Sequence, residues 1–132
     1  MDLVVHVLPD SGDVRGSSFS MPATWLDAVE GAVDVHVTVL SPGYVRGDHF
    51  HLVRRELLVV LHESDWSLYG DSGAGSAVSQ RDFQGSGAVL VEVPVGVSHA
   101  VRNRGSADLR IIGLSRGPYD PAVPDAYPRK VS

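Results

Sequence analysis

The chain of 132 residues contains no cysteine, which excludes disulfides and every thiolate metal site. Any metal ion it holds must rest on imidazole and carboxylate donors, a set suited to zinc, nickel, iron or manganese. Positive charge is also scarce: 11 Lys and Arg stand against 16 Asp and Glu, for a formal charge of −5. A nucleic-acid partner is therefore not expected. Long apolar runs are missing as well. None approaches the roughly 18–20 residues that span a bilayer. The opening MDLVVHVLPDSG has an acid at position 2 instead of the basic run of a secretory leader. The expectation is a cytoplasmic protein without a membrane partner. Extended 3.6-residue apolar periodicity, the mark of long helices, is absent too.

What is present is valine, together with 14 Gly and 8 Pro that break the chain into short segments. Strands are expected over Leu3–Leu8, Ala32–Leu40, Tyr44–His51, Glu56–His62, Ala88–Val93, Ser98–Asn103 and Leu109–Leu114. Ala32–Leu40 alternates most cleanly. Val33, Val35, Val37 and Val39 share one face, and Asp34, His36 and Thr38 the other, as in a half-buried antiparallel strand. Met21–Glu30 reads as a short helix or irregular cover, and Asp71–Ser79 as a hairpin loop. Ser115–Ser132, with four prolines, reads as a tail lying extended over one domain that spans residues 1–132. Many short strands between turns indicate an all-β sandwich or barrel.

The candidate chemistry lies in four residues. His49 and His51, two apart on a strand, project from the same face. Glu56 has the wrong parity to join them on that strand. Residues 52–55 must therefore connect to a neighbouring strand that brings Glu56 back inward. His99 follows a separate turn, Pro94-Val95-Gly96. Three imidazoles and a carboxylate on adjacent strands form a complete ligand set for a divalent transition-metal ion, with room for water or substrate.

The spacings also resemble a known family. Gly43, five residues, His49-Phe50-His51, four residues and Glu56 resemble the first signature of the cupin superfamily. Pro94-x-Gly96-x-x-His99-x-x-x-Asn103 resembles the second. Two positions depart: Glu63 replaces the glycine that usually closes the first signature, and Gly87 opens the second a residue early. Arg46-Gly47-Asp48-His49-Phe50-His51 is similar to the RGxHxH segment of cupins acting on nucleotide sugars. Those include sugar 3,4-ketoisomerases and the C-terminal domain of capsular-polysaccharide epimerases and reductases. Tyr119–Pro128 resembles the closing stretch of the latter group.

The resemblance implies a double-stranded β-helix, the cupin jelly-roll barrel. It also implies an isomerase or epimerase of a nucleotide-linked keto sugar. In the ketoisomerases the aligned histidines are proton-transfer bases without a metal. In the capsular group a metal is typical, and the full ligand set here (His49, His51, Glu56, His99) favours that branch. His49 and His51 then stand as the catalytic candidates. A histidine titrating near neutrality can remove and return the acidic proton beside a ketone. Arg46, just before them, can clasp a phosphate or sugar oxygen.

Rival readings on the same barrel are a metal-dependent dioxygenase or polyketide cyclase, and a small-ligand-binding cupin that turns nothing over. His6, His36 and His62 are expected outside the site, with His36 a distant candidate because its face can enter the barrel. Asp120, Asp125 and Tyr127 are expected to make packing or solvent contacts. Leu57–Leu61 is apolar on both faces, which calls for a second cover and suggests a homodimer.

Overall fold

The structure, a computed structural model, describes residues 2–22, 33–116, 121–122 and 124–132. Its described residues form ten strands: β1 (Val4–Leu8), β2 (Val33–Leu40), β3 (Val45–Phe50), β4 (Glu56–His62), β5 (Trp66–Gly70), β6 (Ser79–Phe83), β7 (Gly87–Val93), β8 (His99–Asn103), β9 (Leu109–Arg116) and β10 (Tyr127–Pro128). They make two antiparallel five-stranded sheets, ordered β1-β7-β4-β9-β2 and β10-β3-β8-β5-β6. Strands distant in sequence lie side by side within each sheet, as in a jelly roll. Among the described residues no helix is long and apolar enough to cross a membrane.

Alternation along the strands places the core between the sheets. Leu58 and Val60 of β4, Val89, Val91 and Val93 of β7, and Ile111 of β9 meet Trp66, Leu68 and Val101 of the second sheet. Trp66 and Leu68 are completely buried, although neither β5 nor β6 stands out in the sequence. The other face of β4 also needs cover, and the same chain supplies it over Leu57 and Val59. Phe19 and Met21 pack there on a second apolar cluster with Leu8, Ala88 and Leu90. Beyond Met21 and Pro22, which are irregular, the expected short helix lies outside the described residues.

β2 orients differently from what alternation alone suggests. Val35, Val37 and Val39 are each more than half exposed, while His36 and Thr38 border a cavity between the sheets. The polar face points inward because this end of the barrel is hollow. Asn103, from the second signature, acts as a staple beside it. Its side-chain amide donates to the carbonyls of Leu40 and Ala107, each at 2.9 Å. It thereby ties β8 to the end of β2.

The tail is integrated into the second sheet. Tyr127 and Pro128 pair with Phe50 and His49 on β3. Arg129 stacks over the Phe50 ring at 4.2 Å, and its Nη2 donates to Asp71 at 3.2 Å and to the Gly96 carbonyl at 2.5 Å. Asp48 accepts from the backbone N–H groups of Val131 and Ser132 at 2.8 and 2.9 Å. Residues 124–132 are thus a strap pinned across the strand that carries the histidine pair.

Candidate metal and proton-transfer site

β3 is not a regular strand where it reaches the site. Its register against β8 breaks between Gly47 and His49, with Asp48 at φ 57° and Gly47 at φ 107°. Such a bulge inserts one residue and re-aims the side chains beyond it. Arg46 and His49 are three apart, yet both border the cavity. Without the bulge, strand parity would send them to opposite faces.

Beyond the bulge the four sequence-predicted ligands converge. His49, His51, Glu56 and His99 each offer a donor atom, all within 4.8 Å of one another. The His49 ring centroid lies 5.0 Å from that of His51 and 4.8 Å from that of His99. Three of the residues are buried: His51 and His99 are 3% exposed and Glu56 7%. His49 is the more open one. With His99 and Glu56 it borders a cavity of about 770 Å³, whose wall also holds Arg46 and Tyr44. That volume falls in the ordinary range of small-molecule sites.

The donor set suits a metal ion on grounds internal to the molecule. Nε2 of His51 stands 2.7 Å from Oε2 of Glu56, yet the contact lacks hydrogen-bond alignment, and Nε2 is buried without a partner. Nδ1 of His99 is likewise buried and unpartnered. Orphaned buried nitrogens are uncommon and want an explanation. A shared cation answers for both. Ligands about 2.1 Å from a common ion sit about 3–4 Å apart, a slight contraction from donors that lie within 4.8 Å of one another. These four residues can therefore hold a divalent ion.

Electrostatics follow from burial and crowding. Burial pushes His99 down to about 4, with Glu56 offsetting only part of the effect. His49 is lowered as well, chiefly by burial and then by neighbouring His51. Both imidazoles are therefore neutral near pH 7. Burial acts to raise Glu56, but contact with His51 and the attraction of the nearby imidazoles outweigh it and keep the carboxylate ionised. Burial alone would lower His51. Its contacts with Glu56 and with the Asp125 carbonyl leave it raised instead.

Asp125 is the functional residue that the sequence hid. Nδ1 of His51 lies 2.6 Å from its carbonyl oxygen, and a carbonyl can only accept, so Nδ1 carries the proton and Nε2 is free to ligate. The Asp125 side chain fixes that carbonyl in place. Its carboxylate accepts from the backbone N–H groups of Leu52, Val53 and Arg54 at 2.9 to 3.1 Å, and its own backbone sits at φ 45°. Outer partners of this kind orient a ligating histidine and raise metal affinity about 10–100-fold. Asp125→Ala should weaken metal binding by that order while the barrel stays folded. Titration with a competing chelator reads it, and wild-type affinity in the variant would show that the strap does not orient His51.

The remaining candidates lie elsewhere. His6 pairs with Glu92 at 2.9 Å, and Nδ1 of His62 bonds the Gly85 carbonyl at 2.6 Å. His36 borders the cavity, away from the four-residue cluster.

A jelly-roll barrel whose mouth gathers three histidines and a glutamate is a cupin. Within that class the chain belongs to the polysaccharide biosynthesis C-terminal domain family, whose model matches residues 12–127. No curated protein sequence matches it. Among solved structures it is similar to the capsular polysaccharide assembling protein CapF from Staphylococcus aureus, at 24% identity and a TM-score of 0.68, over 94% of this chain and 34% of CapF. The chain thus spans about a third of that protein's length. It is also similar to ChmJ, a 3'-monoepimerase from Streptomyces bikiniensis solved with dTDP-quinovose, at 17% identity and a TM-score of 0.74, over 96% of this chain and 68% of ChmJ. A third similar structure is the dTDP-6-deoxy-D-glucose-3,5-epimerase RmlC from Legionella pneumophila with dTDP-4-keto-L-rhamnose, at 17% identity and a TM-score of 0.71, over 96% of this chain and 71% of RmlC.

Proposed function

We propose that the protein is a metal-binding epimerase or isomerase that moves a proton beside the carbonyl of a nucleotide-linked keto sugar. The observation carrying this reading is a half-open, neutral imidazole, His49, beside three buried donors at the head of a cavity that Arg46 also borders.

His51, Glu56 and His99 would hold a divalent ion, with His49 turned towards the substrate. A divalent ion bound there supplies Lewis-acid stabilisation to an oxygen anion developing next to it. His49 removes the C–H proton beside the carbonyl, for which an unprotonated imidazole of lowered pKa is ready at neutral pH. Glu56 keeps its negative charge and its contact with His51. Arg46 gives the cavity wall a fixed positive charge and a planar fork that suits a diphosphate or a sugar oxygen. The similar structures solved with dTDP-linked sugars support this choice of substrate class.

The test is to incubate the metal-loaded protein with dTDP- and UDP-linked 4-keto-6-deoxyglucose in D2O and follow the sugar by NMR. Deuterium should enter at the carbon next to the carbonyl. His49→Gln should slow this entry about 10²–10⁴-fold, the loss of general-base catalysis. If wild-type protein incorporates no deuterium into either sugar, the reading falls.

A further inference from the structure

The cavity carries an imidazole that the metal cluster does not use. His36 sits on β2, in the sheet that also holds Glu56, whereas His49 and His99 sit on β3 and β8 of the other sheet. In register, His36 lies beside Gly113 of β9, and Gly113 beside Leu58 of β4. The middle position of that row is a glycine, and the ring occupies the space a side chain would have filled. A β-carbon at Gly113 would stand 2.8 Å from both Cε1 and Nε2 of His36. The imidazole therefore lies across the bare backbone of Gly113 towards Leu58, itself a wall residue of the cavity. Its Nδ1 faces the Asp34 carboxylate at 3.6 Å, and its Nε2 lies over the Gly113 backbone on the side of β2 that borders the cavity. Asp34 and His36 project from the inward face of β2, the face that alternation marks as polar.

The chemistry of inversion gives this arrangement a purpose. A base that removes a proton and hands it back from the same side produces exchange with solvent but leaves the configuration unchanged. Inversion needs a second group that delivers a proton from the other side. His49 stands on one sheet and His36 on the other, with the cavity between them.

We propose that His36 is that second proton-transfer group, with Asp34 as its positioning residue. The inference rests on the epimerase reading above. His49 takes the C–H proton, and the electron pair of that bond moves to the carbonyl oxygen. His36, entering protonated, gives its Nε2 proton to the opposite face of the same carbon, and the electron pair returns to re-form the carbonyl. His49 is left protonated and His36 neutral, and both reset by exchange with water.

The test follows both deuterium entry and configuration for dTDP- and UDP-linked 4-keto-6-deoxyglucose in D2O, by NMR. It compares wild type with His36→Asn and His36→Gln at matched melting temperature and metal content. Both variants should still incorporate deuterium through His49 while inversion falls at least about 100-fold. Asp34→Asn should lower kcat for inversion several-fold with KM and deuterium entry unchanged. Inversion at the wild-type rate in either His36 variant overturns the inference. So does loss of deuterium entry together with inversion, which would place His36 in the first proton transfer or in binding. Wild-type protein that incorporates no deuterium overturns the epimerase reading instead, so the two failures are distinguishable.

Discussion

His99→Ala and His51→Ala should each yield a folded barrel whose metal affinity has fallen by more than about 100-fold, while His49→Ala keeps most of its metal and loses turnover. Disturbing only an outer partner of a ligating histidine weakens metal binding about 10–100-fold, so deleting the ligand itself must exceed that. The distinction among the three comes from burial. His51 and His99 are 3% exposed, and each has a buried nitrogen without a partner. Neither nitrogen can turn to water once the ion is gone. His49 is open to the cavity and is placed to meet substrate. Metal content after dialysis, measured by mass spectrometry next to circular dichroism, decides the matter. Undiminished metal in both His51→Ala and His99→Ala would remove the assignment of the site.

Gly47→Ala should cost far more stability than one added methyl group ordinarily does. At φ 107° its backbone is in a region that side chains rarely adopt, and a β-carbon there would lie 2.5 Å from the His99 carbonyl oxygen and 2.8 Å from Cα of Ala100. Both obstacles are backbone atoms in a paired strand, so relief requires β3 and β8 to separate. Left-handed strain contributes about 1–3 kcal/mol and overpacking about 1–3 kcal/mol more. At this chain length the sum corresponds to a melting temperature lower by roughly 10 °C or more. Because His49 pairs with His99 across these strands, metal affinity should fall with stability. Gly85→Ala is the natural control. Gly85 also has a positive φ, at 66°, but a β-carbon there meets nothing within 4 Å, so strain alone, about 1–2 kcal/mol, applies. Equal losses in the two variants would show that the close approach at Gly47 does not matter.

Much of the frame was legible in the sequence because Val-rich segments between Gly and Pro have few other ways to satisfy their backbones. The expected strand Glu56–His62 coincides with β4, and the other six expected strands fall within two residues of the observed ends. β5 and β6 escaped for opposite reasons. Trp66–Gly70 mixes two aromatics and a leucine with small residues and shows no clean alternation. Ser79–Phe83 is a polar edge strand whose burial is slight. Alternation along β2 separated two faces correctly but could not say which one points inward. A hollow barrel end reverses the usual preference, and Val35, Val37 and Val39 face outward.

The four site residues were legible because three lie close together in sequence and a signature turn announces the fourth, although β4, which carries Glu56, lies in the opposite sheet and not beside β3. Asp48 and Asp125 were not. One matters through a bulge, a property of register, and the other through a carbonyl 74 residues away from the histidine it meets. No local pattern encodes a contact at that separation. Arg46-Gly47 reads in the sequence as a mark of substrate class. The structure adds that Gly47 is required for the strands to meet at all.

The strap has a consequence for the order in which the chain assembles. His49, His51 and Glu56 come from β3 and the start of β4, and a single short connection brings them together. The rest of the site depends on distant closure: β8 brings His99, and residues 124–132 bring the carbonyl that sets the proton on His51. Contacts between such remote segments form only after the intervening loops have lost their freedom, and topologies rich in them fold slowly. The site is therefore half local and half global, and the final tautomer of His51 is settled only when the last described residues dock. In folding, completion of the four-residue cluster is a late event, reached after the barrel has closed.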